Sequence, residues 1–475
     1  MGFFTLYAQE NYDFKEFKFP EIRFNALDVG FGLNSNYDNF RFNRRNGGRT
    51  SFFENRNDGF YSNFTNTKYT QALHSIRANT NVQFGKFISE FNDSTVLLEK
   101  STFVGLITNL SGTQRAYLKR SEKQRFWEWN YTLLTSNSNL NQEGRFTSLY
   151  KENIFSIQAA VPIGIGRGRI EPISDVFVAW FLQKDLLDQG LMTKALSQEK
   201  LFELGAIMAG ARNTRVLDFR RFRVQQLDRI TQWFKENPES ADVDNFSIYS
   251  AIADNAIYAF LNTRYAGVRK SLKLAPVLDF YQKNYTDDIV EDLTTRFTTY
   301  GALFFGDYLN AKPLSLKWQS DWYWQYGLYA RSKPNGIIPE LRSSQQDLYS
   351  FVQHSLGYYP NSRTSINLQS GIFVHYPILL DNTVRDPEAI TLTPYLNLSG
   401  RYFLNYNLYI EGAVGTSYTH HFSDFTRSTS NDLGTFLFNP FEIRSSRSLL
   451  ENQFNAQLYR RFGFNTSLRV VYSIF

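Results

Sequence analysis

Residues 315–329 read SLKWQSDWYWQYGLY. Leu316, Trp318, Ser320, Trp322, Trp324, Tyr326 and Leu328 share one parity; Lys317, Gln319, Asp321, Tyr323, Gln325 and Gly327 share the other. A β-strand turns successive side chains to opposite faces. The run therefore builds one face rich in tryptophan and another carrying charge and amides. In a soluble sheet the aromatic face would look at a core. In a barrel that spans a membrane it would look at lipid, with the polar face turned to the lumen. The run alone is compatible with both, and the rest of the chain has to decide.

Composition leans toward the membrane. Aromatic residues make up 17% of the 475 residues, yet mean hydropathy is negative, −0.39. The length exceeds one ordinary soluble core and suits a barrel of a dozen or more tilted strands. No stretch approaches the roughly eighteen uncharged apolar residues of a spanning helix. The absence of cysteine fits an envelope protein and a cytosolic one equally. Net charge is +6, but Lys and Arg are scattered, with local enrichment only over 209–229, and no nucleic-acid reader accompanies them. Nucleic acid is excluded as a partner on this basis. At the N-terminus, MGFFTLYAQE places Leu6 and Ala8 where a signal cleavage site would, without a basic segment before them. Residues 1–9 are expected to be a residual signal peptide; an ordinary disordered terminus is the alternative.

The alternation recurs. Ile366, Leu368, Ile372, Val374 and Tyr376 alternate with Asn367, Gln369, Gly371, Phe373 and His375, and Leu468, Val470, Tyr472 and Ile474 with Ser467, Arg469, Val471, Ser473 and Phe475. Five strands are expected before the middle of the chain, at 22–40, 49–64, 72–88, 122–137 and 152–166. Nine are expected after it, at 271–284, 292–308, 314–330, 345–358, 364–378, 388–402, 406–420, 448–460 and 465–475. The fold class is thus an all-β transmembrane antiparallel barrel of about 14 strands. The ribbons are longer than the five or six residues usual in soluble sheets, and closure removes the free edges such aromatic strands would otherwise expose. A soluble β-sandwich or propeller, with shorter strands, is the alternative. On this parity Leu316, Trp318, Trp322, Trp324 and Tyr326 face lipid.

With these strands and the ending RVVYSIF, closed by Phe475, the chain resembles an outer-membrane β-barrel of Gram-negative bacteria. The Phe/Tyr/Asn-rich style resembles barrels of the Bacteroidota. The resemblance covers 20–168 and 269–475, implies residence in the bacterial outer membrane, and identifies no particular family. Ser473 and Arg469 depart from the apolar alternation that usually precedes a terminal aromatic.

Between the strand blocks the period changes to that of helices. The expected division is 10–168 for N-terminal strands, 169–265 for a helical insertion forming a cap, plug or rim domain, and 266–475 for C-terminal strands. SDVFVAWFLQKDLLDQG (174–190) has Ser174 as cap, Val176, Phe177, Trp180, Phe181 and Leu187 as stripe, and Gly190 as stop. SQEKLFELGAIMAGARN (197–213) starts from another serine; a third helix spans about 217–236 and a fourth 247–260. Arg212, Arg215, Arg220, Arg221, Arg223 and Arg229 are interleaved with Asp218 and Asp228. A salt-bridged solvated surface, a docking face for a partner and a filter in a pore all fit them. VPIGIGRGRIEP (161–172) lacks the spacing and the lysine of a phosphate loop. It reads instead as a strand leaving the wall through a glycine-rich bend, with Arg167, Arg169 and Glu171 pinning the insertion to the rim.

Short connections (309–315, 360–365, 404–406, 461–465) alternate with longer ones. The rule that short turns face the periplasm puts the insertion there, but on this strand count it sends the C-terminus to the other side. No two of His74, His354, His375, His420 and His421 have metal-ligand spacing; His354 and His375 lie on neighbouring strands and meet only if register allows. No nucleophile stands out, so neither enzyme chemistry nor a cofactor is expected. Two functions fit: an anchor or accessory subunit of an envelope complex, its insertion docking another envelope protein, or a channel plugged by that insertion.

Overall fold

In a computed structural model of the chain, every second residue of each ribbon points outward, and the ribbons close on themselves. The structure describes residues 12–14, 16–41, 47–91, 95–118, 124–144, 150–210, 219–237, 249–252, 255, 264–286, 293–332, 345–379, 390–404, 408–421 and 460–473. The first part of the wall is β1 (Ile22–Arg41), β2 (Gly47–Asn66), β3 (Thr70–Phe91), β4 (Thr95–Tyr117), β5 (Arg125–Gly144), β6 (Tyr150–Ala160) and β7 (Ile163–Pro172). Three helices follow: α1 (Ser174–Asp188), α2 (Gln198–Gly210) and α3 (Phe219–Glu236). The wall resumes with β8 (Tyr265–Thr286), β9 (Leu293–Pro313), β10 (Trp318–Arg331), β11 (Gln345–Asn361), β12 (Thr364–Leu379), β13 (Thr391–Phe403), β14 (Leu408–His421) and β15 (Arg460–Ser473).

All neighbours are antiparallel, and β1 pairs with β15 to close the ring. β6 and β7 both pair with β5 on one side and β8 on the other, in an unbroken register. They are one wall strand interrupted at Val161–Pro162, where proline lacks the N–H a ladder needs. The fifteen segments therefore make fourteen wall positions.

That total agrees with the sequence reading, but through two compensating differences. β4 was not anticipated: apolar residues of both parities stand side by side in it (Leu97–Leu98, Leu106–Ile107), which blurs the period of two. Conversely, 461–465 is no turn. Gly463 lies inside β15, whose outward Phe462 and Phe464 continue to Leu468 and Val470. The expected strand 448–460 lies outside the described residues apart from Arg460.

The connections divide between the two ends of the barrel. At one end lie 67–69, 118–124, 314–317, 362–363 and 404–407, the helical insertion, the start of β1 and the end of β15. The short connections 42–46, 92–94, 145–149 and 287–292 join strands at the other end, as do the longest non-helical ones, 332–344, 380–390 and 422–459. With β4 counted and β15 undivided, the insertion and the end of β15 share one end, opposite the longest non-helical connections.

Candidate functional site

The helical end of the barrel is closed from the sequence upward. α1 is buried on every side from Ser174 to Gln183, a wider burial than the single stripe expected of it. The segment before β1 covers it: Phe14 stacks on Phe177 at 4.5 Å and lies 5.3 Å from Trp180, and Tyr12 meets Trp180 edge-on at 5.2 Å. Gln198 ties that segment to α2, accepting from the Asp13 N–H at 2.8 Å and donating to Glu16 Oε2 at 2.7 Å. Gly205 lets α2 close on α1, since a Cβ there would lie 2.7 Å from Val176 Cγ2. Gly190 ends the α1 turn at φ 71°, as its position suggested. Ser174 does not cap α1; it is the first helical residue, and its Oγ accepts the N–H of Arg264 at 2.8 Å. Ile173 N–H donates to the Arg264 carbonyl, also at 2.8 Å. The insertion thus leaves and rejoins the wall at one point. Of the fourth helix, 249–252 and 255 are helical and the rest lies outside the described residues.

The core of this domain runs from Ile22 and Phe64, on β1 and β2, through α1 to Leu316 in the β9–β10 turn. In the ring order, β2 and β10 stand on opposite sides of the barrel. One apolar core therefore bridges the mouth, across about 28 Å for fourteen strands of ordinary spacing and tilt. Arg264 fastens it. This buried guanidinium donates to the carbonyls of Ser315 (2.9 Å), Trp318 (3.0 Å) and Leu316, and to Gln319 Oε1 (3.1 Å). Its faces meet Phe177 of α1 and Tyr359 of β11.

Two polar layers lie beside and beneath this stopper. At the rim, Arg169 pairs with Glu171 at 2.6 Å and donates to the Thr67 and Lys68 carbonyls and to Asn66 Oδ1. Gln71 Nε2 reaches the Ile170 carbonyl, and Tyr117 donates to Gln71 Oε1. Arg169 and Glu171 thus hold the end of β7 to the β2–β3 turn. Just inside the wall, Glu128 is met by Arg115 at 2.9 Å and Lys273 at 2.7 Å; Lys273 also reaches Asp307 at 2.7 Å, and Asp307 accepts from Ser271. Arg269 lies 3.7 Å from Asp307. These charges belong to β4, β5, β8 and β9, and β7 runs between them. Their meeting depends on Gly164, where a Cβ would stand 2.6 Å from Lys273 Cγ and 2.2 Å from the Leu272 carbonyl. The glycine run 164–168 is therefore wall, its inward positions emptied so that Glu128, Lys273 and Phe126 can fold over β7. Only its last member, Gly168 at φ 88°, marks a bend.

The outer face is apolar. Trp318, Trp322, Trp324 and Tyr326 point outward, Trp322 with 48% of its surface exposed against 5% for the intervening Tyr323. Val29, Phe31, Ile76, Leu110, Trp127, Ile165, Leu272, Phe304, Leu396, Leu398, Leu468 and Val470 continue the belt round the ring. A closed barrel with such a belt satisfies all its ladder bonds internally and needs hydrocarbon outside. The chain is a membrane-spanning β-barrel. No described helix is long and apolar enough to cross a membrane. No family model matches this barrel, and no curated protein is similar to it. Among solved structures it is similar to a mutant of the monoaromatic hydrocarbon channel TodX (8% identity, 95% of this chain and 90% of that one, TM-score 0.36). It is also similar to the transport unit of the autotransporter AIDA-I from Escherichia coli (9%, 98% and 94%, 0.33) and to the translocator domain of the autotransporter NalP from Neisseria meningitidis (7%, 94% and 88%, 0.31).

Other sequence-based assignments fall as follows. Leu316 does not face lipid: it is 5% exposed and sits in the stopper core, because β10 begins only at Trp318 and the turn before it does not keep the strand's parity. Arg167 is exposed on the outer face. Arg212 and Arg215 lie outside the described residues, and Arg220, Arg221 and Arg223 belong to α3. His354 faces outward, stacked on Trp322 at 4.5 Å, while His375 faces inward, 3.0 Å from Asp347, so the two do not meet. Sequence reasoning passed over Arg264, Glu128 and Lys273. A signal existed for Lys273: in VRKSLKL (268–274) Arg269 and Lys273 share the parity opposite Val268, Leu272 and Leu274. For Arg264 there was none, since its partners are carbonyls.

Proposed function

We propose that this barrel is a non-conducting, non-enzymatic anchor of the outer membrane, with its helical domain in the periplasm as the docking element for another envelope protein. The observation that carries the reading is the single apolar core bridging the mouth from Ile22 and Phe64 to Leu316. A stopper joined to both sides of the ring and fastened through a buried arginine is built to stay. The confinement of the longest non-helical connections to the opposite end supports the periplasmic side. α3 supports docking: Ile230, Trp233 and Phe234 are buried, while Val224, Gln225, Asp228, Arg229, Lys235 and Glu236 form a mixed face open to solvent.

The test pairs two measurements on the purified barrel. A silent planar bilayer together with an envelope protein retained at fixed stoichiometry in mild detergent is the expected result. Replacing 174–263 by a short linker, feasible because Ile173 and Arg264 are already hydrogen-bonded, should release that protein. Steady conductance of the intact barrel without a partner would overturn the anchor reading in favour of a channel.

A further inference from the structure

On the outer face of β2 two amides interrupt the apolar belt. Asn55 is the register partner of Leu33 and Asn57 of Phe31, and directly paired residues of antiparallel strands point to the same side. Leu33 and Phe31 are exposed on the outside of the barrel, so both asparagines point outward as well. They do not mark the end of the belt. Along β2 they stand between exposed Tyr61 and exposed Phe53, and Phe53 is paired on β3 with Phe84, itself 56% exposed. The amides therefore lie within the hydrocarbon layer, inside its aromatic border.

Asparagine is ill suited to that place. Its side chain is too short to carry the polar group to the headgroups, as Lys and Arg do. Lipid tails offer neither donor nor acceptor, and an unpaired amide in hydrocarbon is costly. The barrel does not supply the partner for Asn55: its Oδ1 is shielded from solvent and has no hydrogen-bond donor among the described residues. Asn57 is exposed. Beside it along the strand, Gly59 has nothing within 4 Å of where a Cβ would stand. The wall is thus recessed next to the amides, and a second surface can approach closely.

A side-chain amide carries both donor and acceptor, so its natural complement is another amide. Two copies of one barrel, inserted the same way up, bring residues of equal depth together about a two-fold axis along the membrane normal. We propose that the outer face of β1–β3 is a dimer interface with a second copy of this chain, in which Asn55 and Asn57 each exchange N–H···O bonds with their counterparts. The inference rests on the wall alone and is independent of the anchor reading and of the orientation.

The chain contains no cysteine, so single introduced thiols report the contact. Full-length N57C in dilute lipid vesicles is expected to give a disulfide-linked dimer on oxidation with copper phenanthroline. L348C, at an exposed position of β11 across the ring, is expected to give none. Light scattering in mild detergent should find the wild-type protein at the mass of two chains. N55L/N57L should raise the dissociation constant about tenfold or more, with unchanged heat-modified migration on gels showing that the variant is folded; the thiol comparison decides if it is not. A monomeric wild-type protein, a folded N55L/N57L dimer as tight as the wild type, or equal linking of N57C and L348C overturns the interface. Oxidation in native membranes that links N57C to a different protein, and not to itself, overturns the second copy as the occupant.

Discussion

The Arg264 guanidinium carbon lies 3.3 Å from the centre of the Phe177 ring, so the residue just before β8 and a residue of the stopper share one buried contact. Hydrogen bonds from a charged donor contribute about 1.5–3 kcal/mol each, and a desolvated cation over an aromatic face about 2 kcal/mol. Arg264→Ala takes the donor from the Leu316 carbonyl and removes those contacts, while the Ser315 and Trp318 carbonyls keep backbone donors. It is expected to weaken attachment of the helical domain by at least about 3 kcal/mol. The readout is limited proteolysis: cleavage within 174–263 should accelerate while the wall stays resistant. Arg264→Lys should restore little, because an ammonium cannot reach the turn as a planar fork. Equal cleavage rates in all three proteins would show that Arg264 does not fasten the stopper.

Gly164 gives a sharper test of the wall. Its conformation is ordinary, and the constraint is space: a Cβ would meet the Leu272 carbonyl at 2.2 Å and Lys273 Cγ at 2.6 Å. Gly164→Ala therefore forces either the β7–β8 ladder apart or Lys273 away from Glu128. Overpacking of this kind costs about 1–3 kcal/mol. The temperature at which the folded band converts to the unfolded one on gels should fall. Gly59→Ala, where nothing stands within 4 Å of a Cβ, should leave it unchanged.

The buried charges at Glu128, Lys273 and Asp307 predict an asymmetry. Removing one partner of a buried pair leaves an uncompensated charge and costs about 3–5 kcal/mol. Lys273→Met should therefore be severe, since Glu128 and Asp307 both rely on its Nζ at 2.7 Å. Glu128→Gln combined with Lys273→Met should be milder than Lys273→Met alone, as a double-mutant cycle in denaturant would show. A double variant worse than the single would mean that the cluster does not act as a unit.

The sequence made the wall legible wherever one face of a ribbon touches lipid throughout its length. β10 announces itself because Trp318, Trp322, Trp324 and Tyr326 never break parity. β4 does not, because the apolar Ile107 lies on the inward side beside outward Val104 and Leu106. The stopper was legible as helices but not as a stopper. Its place follows from long-range contacts, such as Phe14 on Phe177 and Arg264 on the Ser315 carbonyl, that no local period records. The charge layer was hidden for a related reason: Glu128 and Lys273 are far apart in the chain, and they meet through a glycine between them that only the register identifies.

Leu316 and Trp322 separate the two roles that the alternating run at 315–329 made look alike. They share a parity, but Trp322 is exposed on the outer face and Leu316 is in the core that closes the mouth. Arginine at an outward position costs about 2–4 kcal/mol near the bilayer midplane and less toward the interface. Trp322→Arg also loses the stack on His354. It should lower the denaturant midpoint for folding into lipid vesicles while leaving the helical domain as resistant to protease as before. Leu316→Arg should do the reverse: the wall folds at its usual midpoint, but a charge forced into the apolar core loosens the stopper. The readouts are a raised cleavage rate within 174–263 and the appearance of conductance in a planar bilayer. If Leu316→Arg instead impaired insertion as Trp322→Arg does, Leu316 would belong to the lipid face, and the core bridging the mouth would lose its hold on the β9–β10 turn.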